Sequence, residues 1–231
     1  NTIVDNSASG SRLGLKANYV MLAGKPGKTN TPAAGNGRLT IDADTIDVQS
    51  ATFSKFASVA FNAQHDIRLM SPTVDNSVFV NSGQTTNLST FYGQIWSAGD
   101  LSFQAERLYP VSAVDFEIVS SAANGTVTFS KPAGSATPVA PLSAGGSLTV
   151  SAANIVQGGN LYAPLGKIAL GATKLADLSA NDTRGSVVPT QSVRLLAGSI
   201  TSVALADGQI VPYGQTEDGI NWFYNSDAAP L

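Results

Sequence analysis

Three aspartates in the first quarter of the chain are the residues best suited to chemistry. Asp42, Asp44 and Asp47 lie within one strand-like stretch. Carboxylates held on strands can act as general acids and bases on a polysaccharide, and carboxylate oxygens can also bind calcium. In neighbouring copies of the repeat described below, Asn62 and Lys16 take the place of Asp42, so no stacked row of carboxylates is visible. We expect a solvated acidic face, with a calcium site and a catalytic pair as alternatives.

His65 is the only histidine of the chain, and Asp66 and Arg68 are its near neighbours. A general base needs a nucleophile or a substrate within hydrogen-bond reach, and the sequence indicates neither. His65 occupies an extra residue just before Ile67, where we expect the chain to turn a corner. The sequence therefore favours a structural role for this histidine.

The stretch from Phe91 to Trp96 holds the densest aromatic group in the middle of the chain. Exposed tyrosine and tryptophan rings can stack on sugars or anchor a protein interface. Tyr92 and Trp96 are therefore the predicted binding residues. The alternative is that these rings fill the core or pack a loop against it.

Composition excludes several classes of function. Of 231 residues, 43% are hydrophobic but only 13% are charged, and the net charge is −3, so clustered basic residues for nucleic acid or an anionic membrane are missing. The absence of cysteine excludes disulfides, thiolate catalysis and cysteine-based zinc sites. The sequence has no glycine-rich phosphate loop, no Ser/His/Asp set and no apolar run of the roughly 18 residues that span a membrane. We predict no catalytic residue, metal, cofactor, nucleic-acid partner or membrane insertion.

A repeated strand pattern supplies the elements that position these side chains. From Leu148 to Ser151, apolar residues alternate with small polar ones. Ala152 follows, and the further apolar residue Ile155 comes three positions later. Such alternation is typical of a strand with one buried face. Copies recur at spacings of 19 to 26 residues. Their first residues are Leu13, Leu39, Val59, Val78, Leu101, Val127, Leu148, Ile168 and Val193.

The columns of this repeat predict a parallel β-helix. A coil of about 20 residues has a perimeter of roughly 65 Å, which is enough for three short strands and their corners. No single coil could bury its own apolar face, so stability comes from its neighbours. We predict an all-β shaft of about nine rungs over residues 1–204. In the copy at Leu148, we expect Leu148 and Val150 inside, Thr149 and Ser151 outside, and Ala152 at a corner.

Three loops and a terminal segment depart from the repeat. Clusters of glycine, proline, asparagine and serine interrupt it at 23–37, 131–146 and 176–190, which we expect to be displayed loops. Near the end, Trp222, Phe223 and Tyr224 do not fit a narrow interior. An open solenoid end exposes backbone and core, so we interpret 205–231 as a C-terminal cap or edge segment. Because Asn1 is not preceded by a methionine or a signal peptide, we interpret the chain as a processed or excised piece of a longer protein.

The glycine-led strands resemble a known repeat. Gly99–Ala105, Gly146–Ala152 and Gly159–Ile168 are similar to the haemagglutinin-type repeats of filamentous haemagglutinin-like exoproteins, which Gram-negative bacteria export by two-partner secretion. The resemblance covers roughly residues 10–205. It implies a right-handed parallel β-helix, a secreted or cell-surface location, and a role in adhesion or biofilm contacts. It also implies an outer-membrane secretion partner for the full-length protein.

The function expected from the sequence is structural and binding rather than catalytic. A rigid shaft would display loops toward host-cell or matrix glycans or proteins, or toward biofilm polysaccharide. One alternative is a β-helical polysaccharide lyase or hydrolase, which aligned Asp, Glu and Arg residues in one cleft would favour. A second alternative is a β-solenoid phage fibre, which would form a stable trimer.

Overall fold

The structure, a computed structural model, is all-β in the residues that it describes. Within that part of the chain there is no helix, and nearly all strands pair in parallel. The described residues are 2–5, 10–24, 31–71, 91–172, 188–205, 215–216 and 222–223. The predicted copy at Val78 lies outside them, as do most of the predicted loop 176–190 and most of the predicted cap 205–231.

Most of the described strands have seven residues or fewer, and two are longer. A six-stranded and an eleven-stranded sheet hold all of them except the last two, which pair with each other antiparallel. In chain order the strands are β1 (Thr2–Asp5), β2 (Arg12–Lys16), β3 (Tyr19–Leu22), β4 (Gly37–Val48), β5 (Ser50–Ser54), β6 (Phe56–Leu69), β7 (Phe91–Ser97), β8 (Asp100–Gln104), β9 (Arg107–Pro110), β10 (Val114–Ser120), β11 (Thr126–Ser130), β12 (Ser147–Ser151), β13 (Asn154–Gln157), β14 (Asn160–Tyr162), β15 (Lys167–Leu170), β16 (Ser192–Leu195), β17 (Ile200–Ser202), β18 (Gln215–Thr216) and β19 (Trp222–Phe223).

The first half of the eleven-stranded sheet carries much of the predicted repeat, and we call it ladder 1. It contains β2, the first parts of β4 and β6, and then β8, β11, β13 and β16, all in parallel register. Its first apolar column consists of Leu13, Leu39, Val59, Leu101, Val127, Ile155 and Val193. Six of the nine predicted starting residues therefore stack as expected.

The predicted place of Leu148 and Ile168 in this column is wrong. Val127 pairs with Ile155, whereas Leu148 pairs with Phe116 and with Ile168 in the six-stranded sheet. We call this sheet ladder 3; its pairing order is β1, β5, β7, β10, β12 and β15. The spacing from Val127 to Leu148 is that of one complete repeat, but a loop at 131–146 accounts for most of it. Leu148 therefore lies in ladder 3, and the chain has not yet returned to ladder 1 there.

The second half of the eleven-stranded sheet is ladder 2. It contains β3, the second parts of β4 and β6, and then β9, β14 and β17. The later apolar position of the repeat forms its inner column, in which Val20, Ile46, Ile67 and Leu108 pair in register.

The two halves of that sheet meet at the alanine of the repeat. The β4–β6 register shifts between Ala43 and Thr45, so the strand bends there, and Ala43 and Ala63 are buried at the bend. The extra residue predicted at His65 lies in this irregularity, because Asp44 alone is matched by Gln64 and His65 together. Alanine therefore occupies a corner, as the sequence predicts.

Phenylalanine rings dominate the interior beside ladder 1. Phe61 and Phe103 stack with centroids 4.9 Å apart, and Phe103 and Phe129 stack at 5.4 Å. Phe53 of ladder 3 meets Phe61 edge-on at 5.7 Å. The next position of the column is Gln157, which is buried and donates from Nε2 to the carbonyl oxygen of Ile200 at 2.8 Å. Stacked side chains of neighbouring strands thus build one continuous core.

Ladder 3 is buried on both of its faces at several positions. Leu148 and Val150 are buried as predicted, and Ala152, predicted at a corner, is buried as well. Ser151 is buried too, which contradicts its predicted outward exposure. Thr52 and Val119, which also point away from the core column, are buried as well. Alternation in the sequence identifies the side that faces the core, but it does not tell whether the other side meets water.

Glycine leads several strands because the chain approaches its neighbours closely there. A Cβ atom on Gly99 would collide with the carbonyl oxygen of Phe56, and one on Gly146 would lie 2.8 Å from the carbonyl oxygen of Val111. Any larger residue would push the strands apart at these corners. Close packing thus explains the glycine-led form of the strands β8 and β12.

Candidate functional site

A polar groove lies at the bend between ladder 1 and ladder 2. Directly before the corner, Lys16, Asp42, Asn62 and Gln104 occupy one outward column, because the strands that carry them pair in register. The alanines that follow are small, and Ala43 and Ala63 are buried, so the surface is recessed beside them. The column and the recess together form the groove.

The groove has a volume of about 520 Å³ and is open to solvent. Its second wall comes from residues just past the corner, and Pro132 of the 131–146 loop also contributes. The lining residues with polar side chains are Lys16, Asn18, Asp42, Asp44, Asn62, Gln64 and Gln104.

The groove is rich in hydrogen-bonding groups and low in charge. Asn62 donates from Nδ2 to Oδ1 of Asp42 at 2.8 Å, which fixes both side chains along the column. Lys16 brings one positive charge, and Asp42 and Asp44 bring two negative ones. Amides offer both donors and acceptors, whereas carboxylates accept only. This arrangement suits a ligand with many hydroxyl groups better than a strongly charged one.

The structure separates the three aspartates of the predicted acidic face. Asp42 and Asp44 line the groove, whereas Asp47 lies on the outer side of ladder 2 and is buried. Arg68 donates to both Asp47 oxygens, from Nε to Oδ1 at 2.6 Å and from Nη2 to Oδ2 at 2.7 Å. Among the described residues, no group of three or more His, Cys, Asp or Glu side chains could hold a metal ion.

A second ion pair repeats this geometry one strand along. Arg107 donates to Asp66 from Nε at 2.7 Å and from Nη2 at 2.7 Å, and the two residues are direct partners in the β6–β9 pairing. Bidentate pairs of this kind are the strong form of charge-assisted hydrogen bond. The hydrogen bonds from Asp47 and Asp66 raise the pKa of Arg68 and of Arg107, respectively.

Tyrosine hydroxyls complete both pairs. Tyr19 donates to Oδ2 of Asp47 at 2.8 Å, and Tyr109 donates to Oδ2 of Asp66 at 3.2 Å. Burial, together with the Asp66 carboxylate, raises the pKa of Tyr109 to about 12. Burial and then the bond to Asp47 raise the pKa of Tyr19 as well. These carboxylates are therefore engaged in holding neighbouring strands together.

The predicted binding residues Tyr92 and Trp96 lie on β7 of ladder 3, away from the groove. The Tyr92 hydroxyl donates to Oε2 of Glu117 at 3.0 Å, and the ring is half-buried. Trp96 is only 5% exposed and pairs with Thr52 and Val119. The binding prediction requires an exposed ring, and the Trp96 ring is almost entirely buried. Its burial agrees with the alternative that these rings fill the core or pack a loop against it.

His65 is exposed at the bulge of β6. Its Nδ1 atom lies 3.2 Å from Oε2 of Glu106. The structure does not bring His65 together with Asp66 and Arg68, because those two side chains make the ion pairs of ladder 2 with other partners.

Sequence reasoning missed the amides that form most of the groove. It compared Asp42 with Lys16 and Asn62 in the correct register, and the pairing confirms that comparison. Extending the same column to Gln104 would have produced a continuous polar row. Asn18 and Gln64 are harder to find, because they follow the corner and have no regular place in the alternation.

Comparison with family models, curated proteins and solved structures finds no match for this chain. The described residues also include no helix of the length and hydropathy that crossing a membrane requires.

Proposed function

We propose that the three ladders are the faces of a right-handed parallel β-helix. The resemblance to haemagglutinin-type repeats supports the right-handed sense, and the order of strands supports the coil: the chain passes from ladder 1 to ladder 2 within β6, enters ladder 3 at β7, and returns to ladder 1 at β8. The same order repeats through β9, β10 and β11, and again from β13 to β16. Parallel pairing of each strand with its counterpart one circuit later is the pattern that a solenoid produces.

We propose further that this β-helix is a structural and binding segment of a secreted bacterial surface adhesin. Its resemblance to haemagglutinin-type repeats supports that assignment and implies an outer-membrane secretion partner for the full-length protein. The 131–146 loop supports a display role, because Val139 and Leu142 expose most of their apolar side chains there. Exposed apolar side chains on an anchored loop are suited to contacts with another surface.

The groove is the site that we propose for a glycan, from a host surface or a biofilm. The observation that carries this proposal is the polar column Lys16–Asp42–Asn62–Gln104, which runs across successive strands and is flanked by further amides. A linear polymer lying along the column would meet a hydrogen-bonding group on each strand. Sugars are bound largely by such planar amide and carboxylate groups because every hydroxyl both donates and accepts.

A glycan array with the purified 231-residue chain tests this proposal. We expect binding to one class of weakly charged glycan, at least tenfold weaker in the variants Asn62→Ala and Gln104→Ala. Thr128→Ala is the matched control, since Thr128 is an outward-facing residue of ladder 1 that does not line the groove. Binding that survives both groove variants would refute the site, and absence of glycan binding would refute the assigned ligand.

The enzyme alternative has one feature in its favour, the aligned Asp–Arg pairs of ladder 2. The geometry argues against their use in catalysis, because Asp47 is buried and accepts two bonds from a guanidinium and one from a tyrosine. A general acid or base must reach the substrate. We expect no turnover of acidic polysaccharides; turnover that Asp42→Asn abolishes would overturn the adhesin proposal.

A further inference from the structure

The polar groove ends where the 131–146 loop begins. Ser130 of β11 pairs with Gln104 and continues the register of the outward column by one strand. At this level, however, the groove is lined by Pro132 and not by Ser130. Among the described residues, none that lies beyond Pro132 in the chain contributes to the lining. The loop therefore closes one end of the groove.

A tight turn holds Pro132 in place. The carbonyl oxygen of Pro132 accepts a hydrogen bond from the backbone N–H of Ser135 at 3.3 Å and another from the Ser135 hydroxyl at 2.9 Å. Gly134 lies within this turn with φ of +77°, a conformation that favours glycine. The proline ring itself fixes φ at Pro132. The closed end is thus a fixed feature of the groove.

Anchors on both sides of the turn hold the loop against the ladders. Before the turn, Lys131 donates from Nζ to the carbonyl oxygen of Gly198 at 2.9 Å. After it, the Tyr162 hydroxyl donates to the carbonyl oxygen of Pro138 at 3.2 Å. A ligand in the groove would have to strain these contacts to push Pro132 aside.

Gln104 is the last residue of the polar column before the closed end. Within the part of the chain that the structure describes, its side-chain amide makes no hydrogen bond to another residue. An amide can both donate and accept. The terminal unit of a glycan carries a hydroxyl group that every internal unit has lost to a glycosidic bond. The Gln104 amide is suited to that additional hydroxyl group.

The rest of the column gives a chain end a path away from Gln104. The column crosses four strands from Gln104 to Lys16, and at about 4.8 Å between strands its length is roughly 14 Å. A polymer that begins at Gln104 can follow the column in the direction of Lys16. The closed end lies between β8 and β11, so it does not depend on residues that precede β2.

We infer that the groove binds the terminal units of a glycan chain and excludes internal segments, with Pro132 as the residue that determines this specificity. The inference rests on the proposed glycan binding of the groove. An internal segment would have to continue past Gln104, where the Pro132 ring and the turn behind it block its path. A chain end stops there and presents its additional hydroxyl group to the Gln104 amide.

The number of protein molecules bound per glycan chain tests the inference. The probe is the linear glycan with the strongest array signal, used free in solution as short and long size fractions in isothermal titration calorimetry. We expect one wild-type molecule per glycan chain at both lengths, because each chain has one end of the recognised kind. Asn62→Ala should weaken binding of both fractions at least tenfold, which assigns this binding to the groove.

Two outcomes of this titration separate the inference from the proposed function. A number of bound molecules that rises in proportion to chain length would overturn chain-end binding and leave the groove as a glycan site. Absence of binding to any glycan would refute the proposed function and the inference with it.

Pro132→Gly removes the ring that closes the groove. We expect several molecules of this variant to bind each long chain, whereas a short chain still binds one. Pro138→Gly is the matched control: Pro138 lies in the same loop but does not line the groove, and the variant keeps the carbonyl oxygen that Tyr162 binds. One molecule of Pro132→Gly per long chain would overturn the role of Pro132. Far-ultraviolet circular dichroism verifies the fold, and the wild-type titration decides the inference if Pro132→Gly does not fold.

Discussion

Replacing Phe103 with alanine tests the core of the proposed shaft at its centre. Phe103 is buried between Phe61 and Phe129, with ring centroids 4.9 Å and 5.4 Å away. Truncating a buried phenylalanine costs about 3–5 kcal/mol through lost transfer energy and the cavity that remains. The two stacked contacts add about 0.5–1.5 kcal/mol each, which favours the upper part of that range. We expect Phe103→Ala to lower the free energy of unfolding by about 4–5 kcal/mol.

Equilibrium unfolding in urea, followed by circular dichroism, measures this loss. The midpoint should fall while the slope against denaturant stays constant, because the surface exposed on unfolding changes little. Ser102→Ala is the control: Ser102 is the outward neighbour on β8, and its replacement should change the free energy by less than about 0.5 kcal/mol.

A loss below about 1 kcal/mol for Phe103→Ala would refute the continuous aromatic core. A double-mutant cycle with Phe129→Ala sharpens the test. Direct stacking predicts a coupling energy of about 0.5–1.5 kcal/mol, and strict additivity of the two substitutions would contradict the stacked arrangement.

Three further predictions test particular features. Val150→Asp buries a charge between Ile118 and Leu170 and should prevent folding, whereas Thr149→Asn, which puts no second carboxylate opposite the buried Glu117, should be tolerated; equal soluble yields of the two variants would contradict the register of ladder 3. Gly99→Ala should lower the urea midpoint, since its Cβ meets the Phe56 carbonyl; an unchanged midpoint would contradict the close approach. Because the pKa of Tyr109 rises to about 12, the unfolded chain ionises first, and stability should fall by on the order of 2–3 kcal/mol from about pH 10 to about pH 12. Tyr109→Phe should reduce that alkaline loss, and identical pH profiles would contradict the burial.

The strands and their inner faces could be predicted from the sequence because alternation and alanine corners have a direct physical cause. A buried column needs apolar residues at every second position, and a bend in a packed strand needs a small side chain. Leu39, Ile41, Ala43 and Ile46 follow this pattern and occupy the places it predicts. The later apolar residues Ile46 and Ile67 pair with each other in ladder 2, and the same register brings Asp47 to Arg68, a pair that the sequence analysis did not identify.

The assignment of a strand to a ladder could not be predicted in the same way. Each ladder turns one apolar face to the core, so strands of all three show the same alternation, and only the path between them distinguishes one from another. Leu148 illustrates this, because residues 131–146 follow β11 as a loop and contribute no strand to ladder 2. The burial of Ser151 and Trp96 could not be predicted for a related reason. Both side chains lie on the outer side of ladder 3, and covering that side does not change the alternation in the sequence of the ladder 3 strands.

The loop that disturbs the repeat also shapes the candidate site. Since the loop takes the place of a ladder 2 strand, β9 and β14 become direct neighbours, joined at Leu108 and Leu161. The Arg107 guanidinium donates to the carbonyl oxygen of Val139 at 3.4 Å, and the Tyr162 hydroxyl donates to that of Pro138 at 3.2 Å.

These bonds anchor the middle of the loop on ladder 2, while Pro132 at its start lines the groove. The regular strands supply the polar column, and the inserted loop adds to the boundary of the groove. A variant of the chain with this loop shortened should therefore retain the ladders and change what the groove accepts.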